Sequence, residues 1–268
     1  MDISRLLKNI PAAKLLQQHF NNHLFDTLIF YYHQSLLTLS SCDLCGSSCE
    51  KYRQLCQYCH QDLPLFQFKD VQGDLLNWPA IYKNLPNINF DQLLCLAPHQ
   101  MPFSHWISQL KYQGRFELAQ LFGHLLADTI SQLINTKKLS TPEMIVSVPL
   151  HISRWQSRGF NQAHLIAKQL QKHLARQAIN IDYCSTLITR PKKTEQQVGQ
   201  SGQQRRKRLR TAFQLNNTVS LAEHILLVDD VVTTGTTVSE ISTLLKNHGV
   251  KTVTVVAITL AMPNDKNK

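Results

Sequence analysis

Residues Ile225–Val238 read ILLVDDVVTTGTTV. Ile225–Val228 has the length and composition of a strand buried on both faces. Asp229 and Asp230 stand at its carboxyl end, followed by the loop Thr233-Thr234-Gly235-Thr236-Thr237. A helix is expected over Thr236–His248, with Val238, Ile241, Leu244 and Leu245 facing inward and Gly249 ending it. In an open α/β sheet, ligands bind at the carboxyl ends of the strands. The loop supplies successive backbone N–H groups, and Gly235 permits close approach or a left-handed conformation. The start of the helix adds free N–H donors and the positive end of its dipole. Four threonine hydroxyls complete a setting suited to a phosphate monoester. Two carboxylates beside a phosphate need another partner. A ribose diol offers two donors to groups that only accept, and the pair can also help hold Mg²⁺ around a diphosphate. No Gly-Lys-Ser/Thr closes the loop and no G-x-G-x-x-G is present, which excludes a Walker A motif and a dinucleotide fingerprint. The plain alternative, an Asp-rich turn before a Thr-capped helix, poorly explains two Asp, one Gly and four Thr in nine residues.

Outward from this stretch the texture is alternating strand and helix. Strands are expected at Gln92–Ala97, Met144–Pro149, Ile181–Thr189 and Val250–Leu260. Helices are expected at Phe103–Tyr112, Arg115–Ile134 and Phe160–Leu174, the second carrying the stripe Leu118, Leu121, Phe122, Leu125 and Ile130. Such alternation specifies an α/β fold, a mostly parallel sheet flanked by helices. Residues 1–40 read as two N-terminal helices, 41–64 as a zinc finger, 65–89 as a linker or irregular wrap, and 90–262 as the α/β domain.

ILLVDDVVTTGTTV resembles the phosphoribosyl-diphosphate signature of type I phosphoribosyltransferases. The resemblance implies that Asp229 and Asp230 contact the ribose hydroxyls and that Thr233, Thr234, Gly235, Thr236 and Thr237 bind the 5-phosphate. A second stretch, VPLHISRWQSRGFNQAHLIAKQL, resembles the ComF competence-protein family and its gluconate-utilisation relatives. It runs through Pro149, Leu150 and His151 to Arg158, Gly159, Phe160, Asn161 and Gln162. In that fold the diphosphate sits at this strand end, which implies roles for Arg154 and Arg158, whose planar forks suit phosphate. A mobile lid is implied at the basic stretch Arg190–Arg210, where Thr194, Gln197, Arg205 and Ala212-Phe213 match the pattern. Arg208 stands where the family usually has Asn, and Gln200 where Leu is common. Lys111, in the ComF-like phrase Leu-Lys-Tyr-Gln-Gly, and Arg115 are either diphosphate contacts or solvated helix-end charges. Phe213 reads as a core anchor.

Cys42-x-x-Cys45 and Cys56-x-x-Cys59 form two knuckles that can close on Zn²⁺ with four thiolates. Cys49 and His60 are alternative ligands, and a redox C-x-x-C pair is the competing reading. ComF-like proteins carry a comparable N-terminal zinc finger. Cys95 and Cys184 read as small core residues. Seven cysteines and no apolar leader argue against a disulfide framework.

With 43% hydrophobic residues a packed core is expected, and with no long apolar run a soluble cytoplasmic protein. The formal charge is +10. Arg190–Arg210 alone holds eight Lys or Arg against Glu195, fitting either a solvated face or a polyanion site. As an enzyme, the chain would displace diphosphate at the anomeric carbon of Mg²⁺-assisted phosphoribosyl diphosphate, with an unspecified acceptor. The resemblance points to DNA uptake in natural transformation. The rival is a non-catalytic module that senses a nucleotide or grips single-stranded DNA.

Overall fold

The computed structural model describes residues 41–49, 52, 54–85, 88–150, 152–190 and 213–262. The expected N-terminal helices, His151, Thr194, Gln197, Gln200, Arg205, Arg208 and most of the basic stretch lie outside the described residues. The chain divides into two units, Met1–Leu63 and Pro64–Lys268.

In the larger unit, apolar β-rich runs become strands because only a parallel sheet covered on both faces buries them completely. Strands β1 (Gln92–Pro98), β2 (Met144–Ser147), β3 (Asp182–Cys184), β6 (His224–Val232) and β7 (Thr252–Leu260) form one sheet in the order β1-β7-β6-β2-β3. Every pairing within it is parallel. The stretch expected as one strand over Ile181–Thr189 is split. Its second part, β4 (Ile188–Thr189), instead pairs antiparallel with β5 (Gln214–Leu215).

Seven α-helices are among the described residues: α1 (Gln57–Gln61), α2 (Pro79–Asn84), α3 (Phe103–Tyr112), α4 (Glu117–Asn135), α5 (Ile152–Arg158), α6 (Gln162–Arg176) and α7 (Thr236–Asn247). Helices α4 and α6 pack against each other so closely that a Cβ on Gly123 would lie 2.5 Å from the Gln169 Cβ and 2.8 Å from its backbone. On the other face α7 buries Val238, Ile241 and Leu245 in one core with Leu93, Val255 and Leu227 of the sheet.

The stretch 65–89, expected as a linker or wrap, wraps. Val71, Leu75, Ile81 and Leu85 are buried in that same core. It is fastened to α7, where the Asn89 N–H donates to Ser239 Oγ at 2.8 Å and Asn89 Nδ2 to Thr243 Oγ1 at 2.7 Å. This topology creates the crevice. The chain leaves β2 toward β3 on one side and β6 toward β7 on the other, so the loops after β2 and β6 part at their carboxyl ends. Among the described residues no helix is long and apolar enough to cross a membrane.

One stacked histidine pair, with His173 buried and His124 half-buried, makes the α4–α6 seam acid-sensitive. The rings of His124 and His173 stack with centroids 4.4 Å apart and an interplanar angle of 7°. Burial, then the neighbouring His124, holds the His173 imidazole down to about 3. Its folded value lies below its unfolded one, so the unfolded chain takes up the proton first and stability falls as pH drops below about 6.5. Urea unfolding at pH 6.5 and 5.5 is expected to show wild type losing about 1 kcal/mol more than His173→Phe over this interval.

Candidate functional site

Strand β6 runs through His224–Val232, so Asp229 and Asp230 lie within the strand and not after it. The two carboxylates nevertheless stay close enough to interact side chain to side chain. Asp229 is in register with Ala257 of β7, which is in register with Cys95 of β1. Burial, then the charge of Asp230, pushes the Asp229 carboxyl well above the usual carboxylate range. Burial, then Asp229, raises the Cys95 thiol in turn. The Asp230 N–H donates to Asp229 Oδ1 at 2.8 Å. Asp230 Oδ2 is ion-paired with Lys111 Nζ from the last turn of α3. His99 stands in the same electrostatic neighbourhood. Its imidazole is lowered by burial and by the charge of Lys111, and its Nδ1 is 2.8 Å from Thr259 Oγ1.

Beyond the strand the loop is open to solvent. Thr233, Thr234 and Thr236 are exposed and Thr237 is half-buried. Gly235 is the N-cap of α7, with φ 70°, and no side chain caps this helix. The first amides of α7 therefore keep their donors for a ligand. A Cβ on Gly235 would meet Leu85 Cδ2 at 3.2 Å, with Phe90 and Ile88 just beyond, so the 65–89 wrap supports the loop from beneath. Positive φ and a filled underside both favour glycine here.

The loop after β2 differs from the expectation. Arg154 and Arg158 lie on a separate helix, α5, which stops at Gly159 (φ 76°). Asn161 clamps the two ends of this segment. Its Oδ1 accepts the Ala163 N–H at 3.1 Å, capping α6, while its Nδ2 donates to the Val148 carbonyl at 2.9 Å. Arg158 Nη2 donates to the Tyr112 hydroxyl at 2.9 Å, and its guanidinium lies 4.9 Å from the centre of that ring. Arg154 is exposed and near Arg190, whose guanidinium is lowered by burial and then by the charge of Arg154, while Glu240 opposes the shift. Arg190 also lies over the buried Phe213 ring, 5.1 Å from its centre. Arg115 is engaged with Glu117 and Gln109.

Sequence reading offers Tyr52, Tyr58 and Trp155 as stacking candidates and misses Tyr112, which packs against Arg158, and Phe116. Tyr112, Phe116 and Trp155 are 69%, 51% and 53% exposed. Phe116 meets Phe160 edge-on with centroids 4.7 Å apart. These residues come from α3, the start of α4, α5 and the segment before α6, so no single window of sequence groups them. A separate groove of about 550 Å³ lies under Phe66 and Trp78 and contains none of the predicted site residues.

In the smaller unit, the ligand atoms of Cys42, Cys45, Cys56 and Cys59 all lie within 4.8 Å of one another. Cys45 Sγ and Cys56 Sγ are 3.6 Å apart, close to the roughly 3.8 Å edge of a tetrahedral ZnS₄ site with Zn–S of about 2.3 Å. Hydrogen bonding from Ser47 holds the Cys45 thiol down to about 6. The alternatives are otherwise engaged. His60 stacks on Tyr52 and lies 3.3 Å from its hydroxyl, and the Cys49 thiol points to the Ser47 carbonyl. The four-sulfur set thus fits a structural metal with no open position. Metal analysis of the full chain is expected to give about one zinc, with Cys56→Ser losing it. A folded, metal-free wild type would refute the assignment.

Residues 119–268 match the phosphoribosyl transferase domain family. The chain is 34% identical over 219 residues to DNA utilization protein YhgH of Escherichia coli O157:H7, covering 80% of this chain and 87% of that one. It is 32% identical over 218 residues to Competence protein F of Haemophilus influenzae, covering 80% and 82%. Competence protein ComFC of Streptococcus pneumoniae is 29% identical over 150 residues, 55% of this chain and 59% of that one.

Proposed function

We propose that this chain, which belongs to the phosphoribosyl transferase domain family and to the ComF-type competence proteins within it, binds a phosphoribosyl diphosphate and acts in DNA uptake. The observation that carries the binding reading is the junction of β6 and α7. Two carboxylates there adjoin an uncapped helix start and an exposed Thr/Gly loop, at the edge where the β2 loop also ends. Asp229 and Asp230 would accept hydrogen bonds from the ribose hydroxyls. Backbone N–H groups at Gly235–Val238 and the threonine hydroxyls would donate to the 5-phosphate. Arg158, held by Tyr112 and Gln162, and Arg154 are the described cations suited to the diphosphate. Arg205 and Arg208 would add to it from the basic stretch.

Transfer of the ribosyl group would break the bond from the anomeric carbon to diphosphate and form one to an acceptor nucleophile. The protein's share is to hold both ends of the sugar and to stabilise the departing charge. Mg²⁺ entering with the diphosphate would neutralise part of that charge. In the free protein Asp230 already has Lys111 as counter-ion. The four-cysteine cluster is read as structural zinc.

The competence and DNA-utilization names of the relatives suggest the setting, and one observation favours a direct nucleic-acid contact. Exposed Tyr112, Phe116 and Trp155 beside Arg158 offer ring faces and a cation, the combination that binds unstacked bases. On this second reading the site grips single-stranded DNA without chemistry.

Calorimetry with magnesium phosphoribosyl diphosphate is expected to show binding, weakened at least about ten-fold in the double variant Asp229→Ala, Asp230→Ala. No heat with wild type would remove the pocket. Diphosphate release across a panel of bases and amines separates enzyme from binder. Affinity for single-stranded DNA is expected to fall steeply with salt and to drop about ten-fold or more on replacing Tyr112 and Trp155 by alanine. Unchanged binding in that variant would reject the aromatic surface as the contact.

A further inference from the structure

The acidic pair is not an open cation site in the ligand-free protein. Lys111 Nζ is in contact with Asp230 Oδ2, and the two side chains are only 19% and 15% exposed. The other acid turns its Oδ1 to the Asp230 N–H. A magnesium-sized ion asks for near-octahedral oxygen ligands at about 2.0–2.1 Å and gives up its water reluctantly. Here it would have to share a carboxylate with an ammonium already seated on it, in a setting too sheltered for solvent to screen the repulsion well. The neighbouring polar side chain at this edge does not relieve the conflict, because His99 is tied to Thr259.

We propose that Lys111 is the built-in counter-ion of the acidic pair, filling in the free protein the place a divalent cation would otherwise take, so that metal is admitted only together with a sugar diphosphate. The position of Lys111 makes the exchange short. It is the penultimate residue of α3, and the next residue, Tyr112, holds Arg158. An incoming diphosphate near Arg158 therefore arrives within reach of the lysine. Moving the ammonium from Asp230 to a phosphate oxygen frees the carboxylate for the ribose hydroxyls, which would hydrogen-bond to it in the ammonium's place. This second half rests on the sugar-diphosphate reading, whereas the counter-ion assignment does not.

The test uses Mn²⁺ alone as a paramagnetic probe, titrated into the full chain and followed by electron paramagnetic resonance without any ligand. Wild type is expected to leave Mn²⁺ free up to about millimolar concentration, the weak range for a site short of ligand charge. Lys111→Met is expected to bind Mn²⁺ at least ten-fold more tightly, a gain abolished by adding Asp230→Asn. Lys111→Arg should behave as wild type. Tight Mn²⁺ binding by wild type that disappears in Asp230→Asn would overturn the proposal. So would a folded Lys111→Met with no gain. Should Lys111→Met fail to fold, Lys111→Gln carries the same expectation and the wild-type titration remains decisive. If Mn²⁺ behaves as expected but calorimetry shows no phosphoribosyl diphosphate binding, the counter-ion assignment stands while the exchange and the pocket reading fall.

Discussion

Two carboxylates built into a strand of a buried parallel sheet are the constraint that orders everything near them. A charged group stripped of water is costly unless something compensates it. At this edge the compensation is divided. Asp230 has a lysine from a neighbouring helix, and Asp229 is driven toward its neutral form by burial and by the adjacent acid. An apolar pair at these positions would satisfy the sheet better than two acids do. Their presence is therefore an expense that stability alone does not explain, and it coincides with the place where the topology parts two loops around a crevice.

The rest of the larger unit reads as support for that place. Residues 65–89 fill the space beneath Gly235 and pin α7, whose first turn would face the phosphate. Asn161 closes the ends of the segment that carries Arg154 and Arg158. Tyr112 ties Arg158 to the helix that supplies Lys111. In the smaller unit, four thiols lie close enough to hold a metal ion that would take over what a core would do. A segment this short has few apolar side chains to bury, and convergence on one metal ion would be the economical substitute.

Local chemistry made the strand, the acids, the Thr/Gly loop and the doubled Cys-x-x-Cys legible in sequence, since each signal fits inside one short window. The sheet was legible for the same reason, its strands being apolar runs between helical stripes. Three features were not. Helix α5 is a single short element with Ile152, Trp155 and five polar or basic residues, so no apolar period announces it. The wrap over 65–89 has Gly73, Pro79 and Pro86 and little periodicity, and looks like a linker until Val71, Leu75, Ile81 and Leu85 are seen to join the core against the sheet. The Lys111–Asp230 pair joins residues from distant segments, and sequence left Lys111 between a diphosphate contact and a solvated charge.

A crystal structure of the full chain with ribose 5-phosphate would test the account most directly. Phosphate oxygens should lie within hydrogen-bonding distance of the backbone amides of the Thr233–Thr237 loop, with the ribose hydroxyls turned to Asp229 and Asp230. A sugar phosphate bound instead in the groove under Phe66 and Trp78, with the acids and Lys111 undisturbed, would contradict it.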